Sequence, residues 1–105
     1  MSPYLVVMTT VDSAVRAGDL SQRLVERSIA ACVQVLGPIS STYRWKEKVE
    51  TAQEWLCLIK TREDLYSRVE ATIGEIHPYE LPEIVALPIA QGSHRYLSWL
   101  EGAVS

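Results

Sequence analysis

Apolar and polar positions along the chain fall into two kinds of pattern, one typical of strands and one typical of helices. Four segments are rich in β-branched and other apolar residues, which favour strands. In the third, Trp55, Cys57 and Ile59 alternate with apolar neighbours, so both of its faces are apolar. Pro38 and Pro88 predict bulges or edge positions, because proline lacks the N–H that a central strand donates. The four predicted strands are residues 4–11, 31–49, 52–61 and 83–90.

Apolar positions spaced three and four apart predict two long helices between the strands. The first spans residues 14–29, begins after an N-cap at Asp12 or Ser13, and turns one stripe toward the core. The second begins at Asp64 as N-cap and ends at His77, because the following proline disfavours helical backbone at that residue. Gly92 and Ser93 open a short last helix. The first stripe consists of Ala17, Leu20, Leu24 and Ser28; the second consists of Leu65, Val69, Ile73 and Ile76.

The predicted order is βαββαβ followed by a terminal helix. Two crossovers around a central hairpin predict an α+β domain with a four-stranded antiparallel sheet and both main helices on one face. This is the ferredoxin-like sandwich. At 105 residues, the chain is long enough for one such domain, over residues 1–105, and too short for two.

The central hairpin is predicted to be too long for its sheet. A turn near Glu50 would carry its arms roughly 20–25 Å past the other strands. The aromatic side chains on these arms indicate contact with another copy, and closed cyclic symmetry satisfies such edges. Trp45 and Trp55 stacking across the hairpin is the alternative, and the pattern does not distinguish two copies from three. The predicted interface residues are Ile39, Tyr43, Trp45, Trp55 and Leu56.

Composition and charge narrow the class of protein. A formal net charge of −3 without any cluster of lysine or arginine argues against nucleic-acid binding. No apolar run approaches membrane-spanning length and no secretory signal precedes the first strand, so the cytoplasm is expected and a membrane partner is not. Cys32 and Cys57 are predicted to lie about 36 Å apart along the hairpin, too far for a disulfide, and to be buried free thiols.

The segment "IHPYELPE" carries the candidate chemistry. His77, helped by Tyr79 and Glu80, with Glu83 also close in sequence, offers nitrogen and oxygen ligands for a metal ion. The alternative is that His77 only ends a helix, where a cation is favourable. Lys60 and Arg62 could bind an anion at a helix start, or form a solvated charge cluster. Zinc spacings, phosphate loops and a nucleophile elbow are absent from the sequence, so no enzymatic reaction is predicted.

Five motifs in this order resemble the CutA family of divalent-cation tolerance proteins: "AACVQV", "STYRWKEKVE", "CLIKT", "IHPYELPEIVALPI" and "QGSHRYLSWL". The resemblance covers nearly the whole chain. It implies a ferredoxin-like subunit, a stable homotrimer with packed hairpins, an architecture shared with the PII signalling proteins, and a role in tolerance to copper and other heavy metals. No obligatory cofactor is implied; copper or another divalent cation is the possible ligand.

Carried over by position, the resemblance transfers only part of the copper site. The resemblance implies copper ligation that in some relatives is attributed to a cysteine at the end of the first strand and to two adjacent histidines. Here Thr9 and the pair Ile76-His77 hold these places, so only His77 is kept. Glu47 stands where relatives usually have glycine. Three rival functions stay open: a PII-like module binding a nucleotide or small anion between subunits, an acylphosphatase-like enzyme, and a scaffold for another protein. The sequence lacks the phosphate loop that the enzyme requires.

Overall fold

The computed structural model describes residues 3–105 and contains a four-stranded sheet with three α-helices. Ser13 caps the first helix by accepting a hydrogen bond from Arg16 N, and Ser93 caps the last from Tyr96 N, as Ser does at helix starts. The elements are β1 (Tyr4–Val11), α1 (Ala14–Glu26), β2 (Cys32–Trp45), β3 (Lys48–Arg62), a 3₁₀ turn (Glu63–Leu65), α2 (Tyr66–Ile76), β4 (Ile84–Pro88) and α3 (His94–Ala103).

The strand order is β2-β3-β1-β4, and every neighbouring pair is antiparallel. β1 lies between β3 and β4, so each βαβ crossover passes over one strand, which confirms the predicted ferredoxin-like α+β arrangement. Pro88 ends β4 on the edge of the sheet, opposite Leu5. A register shift between Leu36 and Ile39 confirms the bulge predicted at Pro38.

The main core lies between one face of the sheet and the helices α1 and α2. It joins Val7 of β1 and Ile59 of β3 to Leu20 of α1 and Ile73 of α2, all with at most 1% of their surface exposed. A second, smaller cluster packs Leu100 of α3 near the end of the sheet. Because strand residues alternate between faces, the opposite face of the sheet carries the even-numbered residues of β1 and β3. We call this the open face.

Two predicted helix ends were wrong. α1 ends at Glu26, and Ser28 lies beyond it with a positive φ of 59°. Ile29 N and Ser28 N donate to Leu24 O and Val25 O, the hydrogen-bond pattern that closes many helices. Asp64 does not cap α2: it lies in the 3₁₀ turn and pairs with Arg62 at 2.9 Å. Because the 3₁₀ turn delays the start of α2 to Tyr66, the Asp64 carboxylate pairs with Arg62 and does not cap the helix.

The hairpin turns three residues earlier than predicted. Trp45 pairs with Lys48, so the turn consists of Lys46 and Glu47, not of residues near Glu50. β2 therefore ends at Trp45 instead of residue 49. Beyond the last pair of β1 with β3, seven hairpin pairs, from Ile39–Glu54 to Trp45–Lys48, have no other strand beside them. At about 3.4 Å per residue they project roughly 20–24 Å, which agrees with the predicted overhang.

The two cysteines are closer together than the misplaced turn implied. Cys57 lies opposite Val35, only three positions from Cys32, or about 10 Å along the strand, rather than 36 Å. Both thiols are free, as predicted. Cys57 is fully buried, whereas Cys32 is only partly buried and its Sγ lies 3.4 Å from Tyr96 Oη.

Candidate functional site

His77 lies at the C-terminal end of α2, where the chain leaves the helix toward β4. Its backbone N–H donates to Ile73 O at 2.9 Å, and its φ and ψ of −77° and 131° are already extended. The predicted helix end at this residue is confirmed. The extended backbone, which is favoured before Pro78, directs the imidazole toward the C-terminal end of β1, where it contacts Thr10.

Both ring nitrogens of His77 are occupied by backbone groups. Nε2 lies 2.7 Å from Thr10 O, and Nδ1 lies 3.2 Å from Tyr79 N. A carbonyl only accepts and an amide N–H only donates. Nε2 therefore carries the proton and donates to Thr10, while Nδ1 accepts from Tyr79. The one imidazole lone pair that could bind a metal is used to hold the loop.

Tyr79 packs edge-on against His77, with ring centroids 4.7 Å apart. Its hydroxyl donates to Glu54 Oε2 on β3 at 2.7 Å. Burial raises the pKa of Tyr79, and the hydrogen bond to the Glu54 carboxylate raises it further. The phenol is therefore a protonated donor at neutral pH, and Tyr79 does not provide an anionic ligand.

Glu54 is the residue that the sequence analysis missed at this site. It is only 5% exposed, lies opposite Ile39 at the base of the hairpin, and accepts the Tyr79 hydroxyl. A nearly buried glutamate is unusual without a partner. Its one available sequence signal is a charged residue directly beside the apolar run of β3, which predicts only the end of a strand.

Glu80 and Glu83 of the predicted ligand set are exposed and have no side-chain hydrogen bond or ion pair in residues 3–105. No group of three or more histidine, cysteine, aspartate or glutamate side chains is placed to hold a metal in this described range. Within one subunit, His77, Tyr79 and Glu80 thus lie in one loop without forming a chelating set.

Thr9, which the family resemblance aligns with a candidate ligand position, is on the core side of β1. Its side chain is fully buried, opposite Cys57, and its hydroxyl has no hydrogen-bond partner among the described residues. His77 contacts the backbone carbonyl of the next residue, Thr10. The hydroxyl of Thr9 is a poorer ligand for copper(I) than a thiolate.

Lys60 and Arg62 are already neutralised or hydrogen-bonded. Arg62 binds Asp64 at 2.9 Å and Glu101 at 2.7 Å. Lys60 Nζ donates to Gln34 at 2.9 Å and lies 5.7 Å from the centre of the Tyr96 ring. The charge of Arg62 is therefore compensated within the subunit, whereas Lys60 is held by neutral groups.

The predicted interface residues occupy two places on the hairpin. Tyr43 and Trp45 lie near the turn, where Lys46 Nζ sits 5.6 Å from the centre of the Trp45 ring. Ile39 lies at the hairpin base beside Glu54. Trp55 and Leu56 are within the sheet, and Trp55 packs against the main core. Trp45 and Trp55 therefore do not stack across the hairpin, which excludes that alternative.

The open face of the sheet also exposes apolar side chains. Val85 and Leu87 of β4 are 45% and 54% exposed beside Met8 and Val6. Leu36 of β2, opposite Leu56, is also exposed. The sequence signal for this face was the presence of apolar residues at both odd-numbered and even-numbered positions of β3. Contiguous apolar surface of this kind marks a protein contact.

None of the helices in residues 3–105 has the length and apolar character needed to cross a bilayer. α1 is the longest at 13 residues, well short of the roughly 20 that a membrane span requires.

The chain was compared with known proteins and structures. A sequence profile described as CutA1 divalent ion tolerance protein matches residues 5–103. The divalent-cation tolerance protein CutA of Thermus thermophilus is 43% identical over 95 residues, which cover 90% of this chain and 92% of that protein. The Arabidopsis thaliana protein CutA, chloroplastic, is 38% identical over 101 residues, 96% of this chain but 56% of that protein. The chain thus spans little more than half of this plant relative.

The fold comparison agrees. The solved structure of the Thermus thermophilus divalent cation tolerance protein Cut A1 superposes with a TM-score of 0.95 at 40% identity, covering 97% of this chain and 99% of that one. The structure of CutA1 from Oryza sativa gives 0.95 at 36% identity, covering 99% and 95%. These proteins are named for cation tolerance and not for a reaction. On sequence and fold together, the chain belongs to the CutA1 divalent ion tolerance protein family.

Proposed function

We propose that this chain acts, as one domain, in tolerance to divalent and heavy metal ions, as a non-catalytic homotrimer that binds copper or another divalent cation weakly. Family membership supports the role in tolerance. The overhanging hairpin, beside an apolar sheet face that α3 covers only at one end, is the single observation that carries the assembly. We also propose a cytoplasmic location, which the two free thiols support because that compartment is reducing.

The assembly buries what one subunit leaves exposed. Seven hairpin pairs project without support, and isolated two-stranded hairpins are marginally stable in water. The apolar side chains of the open face lie beside them. A head-to-tail contact, in which each hairpin lies on the next copy, closes into a ring and leaves no free edge for filament growth.

Weak metal binding follows from the hydrogen bonds of His77. A cation that coordinates Nδ1 must displace the Tyr79 N–H at 3.2 Å. The broken hydrogen bond subtracts roughly 0.5–1.5 kcal/mol from the binding free energy, which lowers affinity by about twofold to thirteenfold. Of the other two predicted ligands, Glu80 has an exposed carboxylate without a partner among the described residues, whereas the Tyr79 hydroxyl is held by Glu54.

Sedimentation equilibrium at micromolar concentration tests the assembly. The expected mass is three times the chain mass of 11.8 kDa. A mass of one or two chains would contradict the trimer.

Calorimetric titration of copper(II) at neutral pH tests the metal site. The wild type is compared with His77→Ala and with His94→Ala, which removes an exposed imidazole at the start of α3. We expect His77→Ala to lose binding and His94→Ala to retain it. Equal affinities in the wild type and His77→Ala would remove His77 from the site.

A further inference from the structure

Glu54 is a nearly buried carboxylate without a cationic partner in its own subunit. It is 5% exposed, and Oε2 accepts the Tyr79 hydroxyl at 2.7 Å. In residues 3–105, Glu54 takes part in no ion pair, and Oε1 has no hydrogen bond. Burying a carboxylate is costly unless a cation or several donors compensate it. One neutral phenol leaves the charge uncompensated.

The open face of β3 carries three cations, all at even-numbered positions, and two of them are already engaged. Arg62 binds two carboxylates, and Lys60 donates to Gln34. Lys48 has no side-chain partner in the described part of the chain. It lies on the same face as Glu54, because six residues separate them along the strand. Among the described residues, Glu50 on the same face also has no ion pair, but it is exposed to solvent. Glu54 is the buried anion of this face, and Lys48 is its unpaired cation.

Lys48 and Glu54 of one chain do not reach each other. Six residues of extended strand separate their Cα atoms by roughly 20 Å. Lys48 lies at the turn end of the projecting hairpin, and Glu54 lies at its base. A hairpin that lies along a neighbouring copy carries its own Lys48 away from its body and toward the hairpin base of that neighbour.

We propose that Lys48 of a second copy of this chain pairs with Glu54, so that the Glu54–Tyr79 site is completed across the subunit interface. This inference rests on the proposed assembly and adds to it a specific contact. In a closed ring, each subunit gives Lys48 to one neighbour and receives the lysine of the other at Glu54. The pair also fixes the position of the hairpin on the neighbouring subunit. A hairpin that is shifted along that subunit no longer brings Lys48 to Glu54 and leaves the carboxylate uncompensated.

Zero-length carbodiimide crosslinking of the wild type tests the contact directly. The reagent joins a carboxylate to an amine already in contact, and the separation of roughly 20 Å excludes this link within a chain. We expect a covalent dimer on a denaturing gel whose crosslinked peptides join Lys48 to Glu54. Covalent dimers that consistently lack this link would contradict the proposal.

A double-mutant cycle on assembly gives the second test. Glu54→Gln keeps an acceptor for Tyr79 but removes the charge, and Lys48→Gln removes its partner. We expect each to weaken assembly by about tenfold or more, and the double variant to be no weaker than the worse single variant. Arg95→Gln, which removes an exposed cation of α3 that has no side-chain partner among the described residues, is the control and should retain wild-type assembly.

The outcomes separate this inference from the proposed assembly. A trimeric wild type in which Glu54→Gln and Lys48→Gln have independent effects retains the assembly and overturns the pair. A monomeric wild type overturns both.

Discussion

The indole of Trp55 packs directly on the backbone of Gly37. A Cβ placed on residue 37 would lie 2.6 Å from Trp55 Cγ, closer than two carbon atoms approach without bonding. Gly37 therefore allows β2 to bulge beneath the ring, while Trp55 packs on the main core. The packing of Trp55 where the hairpin leaves the sheet therefore requires a residue without a Cβ atom at position 37.

The first prediction follows from this contact. Gly37→Ala should lower the free energy of unfolding by about 3 kcal/mol, because the methyl group displaces Trp55. Gly74→Ala is the matched control: it is helical with nothing within 4 Å, and should raise stability by up to about 1 kcal/mol. Urea unfolding at one fixed protein concentration measures both. Equal effects of the two substitutions would contradict the role of Trp55.

The second prediction concerns two buried threonines, one with a hydroxyl that has no hydrogen-bond partner among the described residues and one with a hydroxyl that is hydrogen-bonded. Thr9→Val should stabilise by about 1 kcal/mol, because the Thr9 hydroxyl is buried without a partner. Thr61→Val should destabilise by about 1–3 kcal/mol, since the Thr61 hydroxyl donates to Ile29 O at 2.6 Å and the carbonyl would lose its partner. Thermal unfolding of both variants checks the difference in sign. A destabilised Thr9→Val protein would show that its hydroxyl is satisfied in solution.

The third prediction concerns the hairpin turn. Lys46 and Glu47 have φ values of 50° and 68°, a pair that favours glycine in two-residue turns. Glu47→Gly should stabilise by about 1 kcal/mol, because glycine adopts this backbone without steric cost. Glu50→Gly, in the strand opposite Tyr43, should instead cost about 0.5–1 kcal/mol. Denaturant midpoints at equal protein concentration measure both, and a destabilised Glu47→Gly protein would contradict the expectation.

The fourth prediction is a loss of stability in alkali. Burial raises the pKa of the Cys57 thiol from 9.0 to about 11. Above pH 9 the unfolded chain releases this proton while the folded chain keeps it, so the unfolding free energy falls as pH rises from about 9 to 11. Cys57→Ala should be less stable at pH 8 but lose less between pH 8 and 11. Parallel pH curves for wild type and variant would exclude a contribution from Cys57.

The sequence by itself determined the order of elements and the local features of each. Apolar stripes spaced three and four residues apart predicted α1 and α2, and the two crossovers around the hairpin placed both helices on one face of the sheet. Pro78 ended α2 at His77. The long apolar run around Trp55 predicted a projecting hairpin. These features depend on neighbouring residues, whose periodicity and backbone preferences are readable along the chain.

Only the tertiary structure decided the register and the site. The turn at Lys46 and Glu47 was missed because the pairing of β2 with β3, shifted by the bulge, fixes the register, and the local sequence does not favour positive φ there. His77 contacts Thr10 across 67 residues and Tyr79 contacts Glu54 across 25. Hydrogen bonds of this kind engage the imidazole and the carboxylate only after the sheet has formed, so the sequence pattern predicted His77 as a candidate ligand without showing that both of its ring nitrogens contact backbone groups.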